Sequence, residues 1–124
     1  MGWDYIKVDQ KKDAEDLIVR MNKLKLEIHN NAVEHGWWEG EREDGTCIAL
    51  MHSELSEALE AMRIGIDTPD KHCPELPAVA VELADCIIRI LDFAQKRDLP
   101  VCEAILAKHE VNKKRPYKHG GKRF

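Results

Sequence analysis

Hydrophobic and polar positions along the chain fall into four long stretches, which only glycine- and proline-containing segments interrupt. The uninterrupted stretches are residues 3–35, 46–64, 78–99 and 101–115. In the first of them apolar residues recur three or four positions apart, as on one face of an α-helix, and no stretch shows the sustained alternation of a half-buried strand. The pattern predicts an all-α, four-helix bundle-like domain, with a polar loop at Glu39–Gly45 and a crossover at Asp67–Pro77.

Two polar residues are candidates for helix N-caps. Thr46 follows Asp44 and Gly45, and Asp98 precedes Leu99 and Pro100. A side-chain oxygen at the N-cap accepts a hydrogen bond from a backbone N–H of the first turn. We therefore expect the second helix to begin at Thr46 and the fourth to begin after Asp98.

The length of the chain bounds its organisation. A chain of 124 residues is long enough for one core, so residues 1–124 are predicted to form a single domain that ends in a basic tail, residues 113–124. No apolar run approaches the ~20 residues of a membrane span, and no secretory pattern opens the chain, so no membrane association is expected. The third predicted helix is too apolar for a lone monomer, and pairing in a homodimer or homotetramer would cover it.

Charge and cysteine content argue against some partners and sites. The last twelve residues carry six Lys or Arg and no acid, whereas the preceding 112 hold 13 basic and 23 acidic residues. An acidic body binds nucleic acid poorly, so no nucleic acid is expected; the basic tail either serves a small phosphorylated ligand or is an ordinary solvated segment. No C-x-x-C spacing occurs, which favours free thiols in a reducing cytoplasm over a disulfide framework or a zinc ribbon.

The glutamates of the second predicted helix lie on different faces. At about 100° per residue, Glu54 falls inside an arc of apolar residues, Glu57 falls at the edge of that arc, and Glu60 points away from it. A charge placed within an apolar arc needs a partner, because burying it unpaired costs several kcal/mol. Glu60 is therefore interpreted as a surface residue, and Glu54 and Glu57 require an explanation.

The third predicted helix gathers its ionisable residues in one narrow stripe. Apolar residues cover about 240° of its circumference, and Glu82, Asp85, Arg89 and Asp92 share the remainder. Taken alone, the stripe is either a solvated face or part of a buried ion-pair network that uses Arg89. Both interpretations weaken when the helices are considered together, because two facing helices would each offer a carboxylate pair at i, i+3.

Four carboxylates at close quarters predict a bound cation, because they would otherwise be protonated or driven apart. The set is Glu54, Glu57, Glu82 and Asp85, with no cluster of His or Cys ligands beside it. A hard, oxygen-binding ion suits such ligands, so Mg²⁺ is expected and Mn²⁺ is possible. A di-iron helix bundle is set aside, because its Glu-x-x-His pairs do not occur in this chain.

The segments around these acids match a known pattern. The acids lie in HSELSEALEAMR and VELADCIIRILDFA, and DLPVCEAILAKHEVNKKRPYKHGG follows them. From about Leu17 to Gly121 the chain resembles the all-α nucleoside triphosphate pyrophosphohydrolases, which carry the signature E-x-x-E…E-x-x-D. The resemblance is strongest for the MazG-like proteins and the dCTP pyrophosphatases.

The resemblance implies a role for each matching residue. The four carboxylates would hold Mg²⁺, and Glu57 would orient or deprotonate the attacking water. The phosphates would be bound by Lys108, Asn112, Arg115 and Arg89, with Tyr117 and Lys118 as further candidates. His29 and Trp38 would surround the nucleobase; alternatively, one of Trp37 and Trp38 is a core residue that the other covers. Arg89 is equally placed to pair with Asp92.

The sequence therefore predicts a Mg²⁺-dependent housecleaning enzyme that converts a (d)NTP to the (d)NMP and pyrophosphate. The alternative is a non-catalytic helical module for oligomeric interaction or nucleotide sensing, whose carboxylates merely face water. The aromatic residue that the dCTP pyrophosphatases carry soon after the first carboxylate pair is missing near Ile64. The preferred base and sugar stay open.

Overall fold

The computed structural model describes residues 10–40 and 42–116 of the chain, and these residues are largely helical. The helices are α1 (Gln10–Glu34), α2 (Asp44–Ile64), α3 (Ala78–Lys96) and α4 (Val101–Lys113). Within those ranges the only β-type pairing is an isolated bridge between Pro69 and Pro77. The prediction of an all-α chain with four helices is confirmed, and the helices are compatible with a small bundle. No helix in this part of the chain is both long and apolar enough to span a membrane.

The chain divides into two compact units. The central unit is Lys25–Leu99, and the terminal unit combines Met1–Leu24 with Pro100–Phe124. In the terminal unit, Asn22 Nδ2 donates a hydrogen bond of 2.6 Å to Glu103 Oε1, and Cys102 is fully buried.

The core of the central unit lies where α2 packs against α3. Small and medium-sized side chains fill it, which lets the two helices approach closely: Cys47, Met51, Ala58, Val79, Cys86, Leu91 and Ala94. Arg97, just after α3, donates to Asp44 at the start of α2 over 2.7 Å, so the two helices run antiparallel. This pairing aligns the predicted carboxylate segments of α2 and α3 side by side.

A glycine-containing turn ends α1 just before the two tryptophans. Gly36 has a φ of +81°, its N–H bonds to Val33 O, and the N–H of Trp37 reaches back to Ala32 O. These bonds form a Schellman motif, in which glycine supplies the left-handed conformation at little cost. The motif stops α1 and places Trp37 and Trp38 immediately after it.

Both N-cap expectations were wrong. α2 begins at Asp44, so Thr46 lies inside its first turn, and Asp44 instead contributes negative charge at the positive end of the helix. Asp98 ends α3 rather than starting α4: its φ is +53°, and the N–H of Leu99 bonds to Ala94 O. Asp tolerates this left-handed position better than most residues, so the same closing motif forms without glycine.

Candidate metal and nucleotide site

The packing of α2 on α3 brings acidic side chains together. Oxygen atoms of Glu54, Glu82 and Asp85 lie within 4.8 Å of one another. Glu54 is buried, and Glu82 and Asp85 are half-buried. The helical projection placed Glu54 in an apolar arc and Glu60 outside it, and Glu60 is indeed exposed. We call Glu54, Glu82 and Asp85 together with Glu57 the carboxylate cluster.

Glu57 belongs to the cluster through its hydrogen bonding, although it lies outside the tight group of three. Hydrogen bonding with Glu54 and then with Glu82, reinforced by their negative charge and by desolvation, raises the pKa of Glu57 to about 7. A carboxyl group whose pKa is raised by neighbouring carboxylates is typical of crowded like charges. Burial, followed by the charge of Glu54, also raises the pKa of Asp85, and the positive charge of Arg89 opposes this shift.

Arg89 pairs with the cluster. Its Nε donates to Glu54 Oε1 over 2.6 Å, and the side chains are 31% and 9% exposed, respectively. Arg89 therefore pairs with Glu54 on the neighbouring helix α2 instead of with Asp92 on its own helix. This is the arrangement expected for a buried ion-pair network. In this arrangement a protein cation already offsets part of the negative charge of the cluster.

The crossover loop presents a further acid that the sequence did not single out. Asp70 is buried, and its Oδ2 accepts hydrogen bonds of 2.8 Å from the backbone N–H groups of Cys73 and His72, which lower the pKa of Asp70. The charges of Asp70 and His72 act on Asp85, so the loop lies near the cluster. A loop aspartate often accepts hydrogen bonds from the backbone N–H groups two and three residues later, as Asp70 does. The position of Asp70 within the predicted crossover was therefore the available signal.

His29 and Trp38 come together, and Asp92 joins them. Asp92 Oδ1 accepts a hydrogen bond of 2.8 Å from His29 Nδ1 and one of 2.9 Å from Trp38 Nε1. Because an ionised carboxylate only accepts, the hydrogen of the His29 ring is on Nδ1 and its Nε2 is left for other partners. The two ring centroids are 6.1 Å apart, with planes tilted by 55°. Asp92 is thus a site residue that the sequence interpretation missed, although it lay in the ionisable stripe of α3.

Cations surround the two tryptophans. The guanidinium of Arg42 lies 5.8 Å from the centroid of Trp37 and 5.7 Å from that of Trp38, and Lys96 Nζ lies 5.4 Å from Trp38. Trp37 is exposed, whereas Trp38 is half-buried and tied to Asp92. Neither tryptophan is among the buried core residues, which contradicts the interpretation of one as core and the other as its cover.

A small cavity connects these features. It measures about 20 Å³ and is lined by Trp38, Arg42, Cys47, Leu50, Arg89, Asp92 and Phe93. That volume is enough for about one water molecule. Because Arg89 both lines the cavity and bonds to Glu54, the cavity is adjacent to the carboxylate cluster.

The predicted phosphate-binding residues of α4 lie in the terminal unit. Lys108 and Asn112 share one face of the helix and line a shallow hollow of about 500 Å³ with Val101, Ala104, Ile105 and His109. Arg115 follows the end of α4 and is exposed. Tyr117 and Lys118, like most of the basic tail, lie outside the described residues. The phosphate-binding role of this segment stays a prediction.

Comparisons with known proteins identify no relative. No family model matches the chain, and neither a curated protein nor a solved structure matches it. The functional assignment below therefore rests on the residues and their geometry.

Proposed function

We propose that the protein is a divalent-cation-dependent nucleotide pyrophosphohydrolase that converts a (d)NTP to the (d)NMP and pyrophosphate. The observation that carries this proposal is the convergence of Glu54, Glu82 and Asp85 oxygens within 4.8 Å. Crowded acids in a partly buried place are costly unless a ligand compensates for them, so their convergence is better explained by binding than by folding. The resemblance of the same segments to the all-α pyrophosphohydrolases supports the reaction class.

The donor set fits Mg²⁺ or Mn²⁺. All candidate ligand atoms are carboxylate oxygens, which hard cations prefer, and Mg²⁺ commonly takes its remaining ligands from water and substrate phosphates. When bound, such an ion supplies positive charge toward the phosphates and Lewis acidity toward water. Glu54, Glu82 and Asp85, with Glu57 as the predicted fourth ligand, would hold it. Arg89 would then be released in part from Glu54 to meet a phosphate oxygen.

Glu57 is the proposed group that orients and deprotonates the attacking water. Its side chain is exposed at the edge of the carboxylate cluster, where water can reach it, and a carboxylate is a suitable general base. The resemblance also supports a phosphate-binding role for Lys108, Asn112 and Arg115, because two cationic side chains and an amide suit an anionic ligand. His29 and Trp38 are the proposed neighbours of the nucleobase.

We further propose that the protein works as a homo-oligomer, a dimer or a tetramer. An α2/α3 apolar stripe remains 45–58% exposed in the single chain, and it consists of Leu55, Leu59, Met62, Leu83 and Ile87. Large apolar side chains at helical spacing on two antiparallel helices suit association with the same surface of a second copy.

A hydrolysis screen tests the enzymatic proposal. The chain is incubated with each dNTP and NTP in Mg²⁺ or in EDTA, and pyrophosphate and orthophosphate are detected separately. We expect Mg²⁺-dependent release of pyrophosphate, and a loss of at least about 100-fold in kcat/KM for Glu82→Gln, because a lost ligand costs more than a lost supporting residue. Glu60→Gln on the exposed side of α2 is the matched control and should retain full activity.

A non-catalytic module remains the second candidate, and the Arg89–Glu54 pair is the observation that favours it. An internal cation that already neutralises a buried acid is what a purely structural network would contain. Calorimetry with Mg²⁺ and a non-hydrolysable nucleotide separates the two candidates. The module predicts no metal-dependent nucleotide binding, and a nucleotide sensor predicts binding without turnover.

A further inference from the structure

The ionisable stripe of α3 is ordered along the helix axis. Asp85, Arg89 and Asp92 occupy successive turns, and at 1.5 Å per residue Asp92 lies about 10 Å beyond Asp85. Asp85 belongs to the carboxylate cluster, Arg89 bonds to that cluster, and Asp92 holds His29 and Trp38. A ligand whose phosphates lie at the cluster therefore has its other end near Asp92.

The two oxygens of Asp92 have different surroundings. Oδ1 already accepts from His29 and from Trp38. In the part of the chain that the structure describes, no hydrogen bond reaches Oδ2, and the side chain is 16% exposed and lines the cavity beside Trp38 and Arg89. Asp92 is thus held by one oxygen, and in this part of the chain its other oxygen keeps its acceptor capacity.

We infer that Asp92 selects the nucleobase, favouring bases that carry an exocyclic amino group over uracil and thymine. This inference rests on the proposed function, because it takes the ligand to be a nucleotide. A carboxylate oxygen accepts a hydrogen bond from the amino group of cytosine, adenine or guanine. The N3–H of uracil and thymine lies between two carbonyl oxygens, whose lone pairs repel a carboxylate.

Arg42 is the side chain that the base replaces. The cavity of about 20 Å³ is too small for a base while the Arg42 guanidinium lies 5.7 Å from the centroid of Trp38. A cation–π contact at a partly exposed site is weak, so a base that stacks on the indole displaces the guanidinium at low cost. The edge of the base then faces Asp92 Oδ2.

Matched nucleoside monophosphates test the inference without metal or turnover. dGMP and dIMP differ only in the 2-amino group, and dCMP and dUMP differ at the 4-amino position and the adjacent ring nitrogen. Dissociation constants are measured for the full chain in EDTA by titration calorimetry and by tryptophan fluorescence. We expect the amino-bearing member of each pair to bind about tenfold more tightly, the discrimination typical of a good side-chain–base contact.

Asp92→Asn separates base selection from a structural role. Asparagine keeps an oxygen acceptor for His29 and Trp38 but places an NH₂ donor in the position of Oδ2. We expect both affinity ratios to fall to about one, whereas a merely structural role would weaken both members of a pair equally. Glu60→Gln makes the same chemical change on the exposed face of α2 and should keep the wild-type ratios, and circular dichroism checks that each variant is folded.

Each outcome decides the inference. It is overturned if the wild-type chain binds both members of both pairs equally, if no monophosphate binds, or if Asp92→Asn retains the wild-type ratios. Should Asp92→Asn fail to fold, equal binding by the wild-type chain still overturns the inference. The pyrophosphate assay reports separately: selective binding without pyrophosphate release refutes the enzyme and keeps the base site, and release with unselective binding refutes the base site alone.

Discussion

Replacing Arg89 by methionine tests whether an internal cation stabilises the carboxylate cluster. Methionine keeps an unbranched apolar stem and removes the guanidinium, whose Nε lies 2.6 Å from Glu54 Oε1. Glu54 then stays buried beside Glu82 and Asp85 without that partner. We expect Arg89→Met to destabilise the metal-free chain, because a buried carboxylate is left among like charges.

The exposure of the two side chains sets the expected cost. Breaking a fully buried pair costs about 3–5 kcal/mol, whereas an exposed pair contributes roughly 0.2–1 kcal/mol. The Glu54 side chain is 9% exposed and that of Arg89 is 31%, so the pair lies between these limits. We expect the free energy of unfolding to fall by about 2 kcal/mol. At a urea m-value of about 1.5 kcal/mol/M, the midpoint falls by roughly 1.3 M.

Urea unfolding followed by circular dichroism, at pH 8 in EDTA, measures this cost. Arg63→Met is the matched control, because its guanidinium lies 3.9 Å from Glu60 with both side chains well exposed, and it should change the stability very little. The double variant Glu54→Gln/Arg89→Met removes the stranded charge and should recover most of the loss. The reasoning is refuted if Arg89→Met costs less than about 0.5 kcal/mol, or if the double variant is no more stable than Arg89→Met.

Two further predictions concern the pH dependence and the assembly of the chain. The pKa of Glu57 is raised from 4.5 to about 7, so the folded chain holds an extra proton between these values. The contribution of Glu57 to metal-free stability is full below about pH 4.5 and is lost as the pH rises through 7. Thermal midpoints in EDTA should show this fall, and Glu57→Gln should reduce it to the part that Asp85, whose pKa is also raised, contributes; an equal fall in the variant contradicts the assignment. Ile87→Glu in the exposed α2/α3 apolar stripe should yield a monomer in size-exclusion chromatography with light scattering, because a charge cannot be buried between copies without a partner. Ala49→Glu introduces the same charge at an exposed position of α2 outside the stripe and should leave the assembly unchanged. If the two variants behave alike, the stripe is not the interface.

Local rules accounted for much of the fold. Glycine and proline punctuation and the 3.6-residue periodicity predicted four helices, and the helical projection predicted that Glu54 is buried and Glu60 exposed. These features depend on residues that are close together in the sequence, so they can be predicted for each helix separately. The helix ends were less predictable: Thr46 and Asp98 both suit an N-cap, but α2 begins two residues before Thr46, and Asp98 adopts a left-handed conformation that closes α3.

The sequence by itself determined which faces of α2 and α3 carry acids, because side-chain direction along a helix follows from spacing alone. Only the tertiary structure decided how those acids pair. Arg89 had a local candidate in Asp92, one turn away, yet the antiparallel packing of α2 on α3 brings Glu54 within 2.6 Å of it. Asp92 is consequently left to His29 and Trp38, which are 63 and 54 residues away in the chain. Partners so distant in sequence meet only after the helices pack, because no helical period relates positions on separate elements.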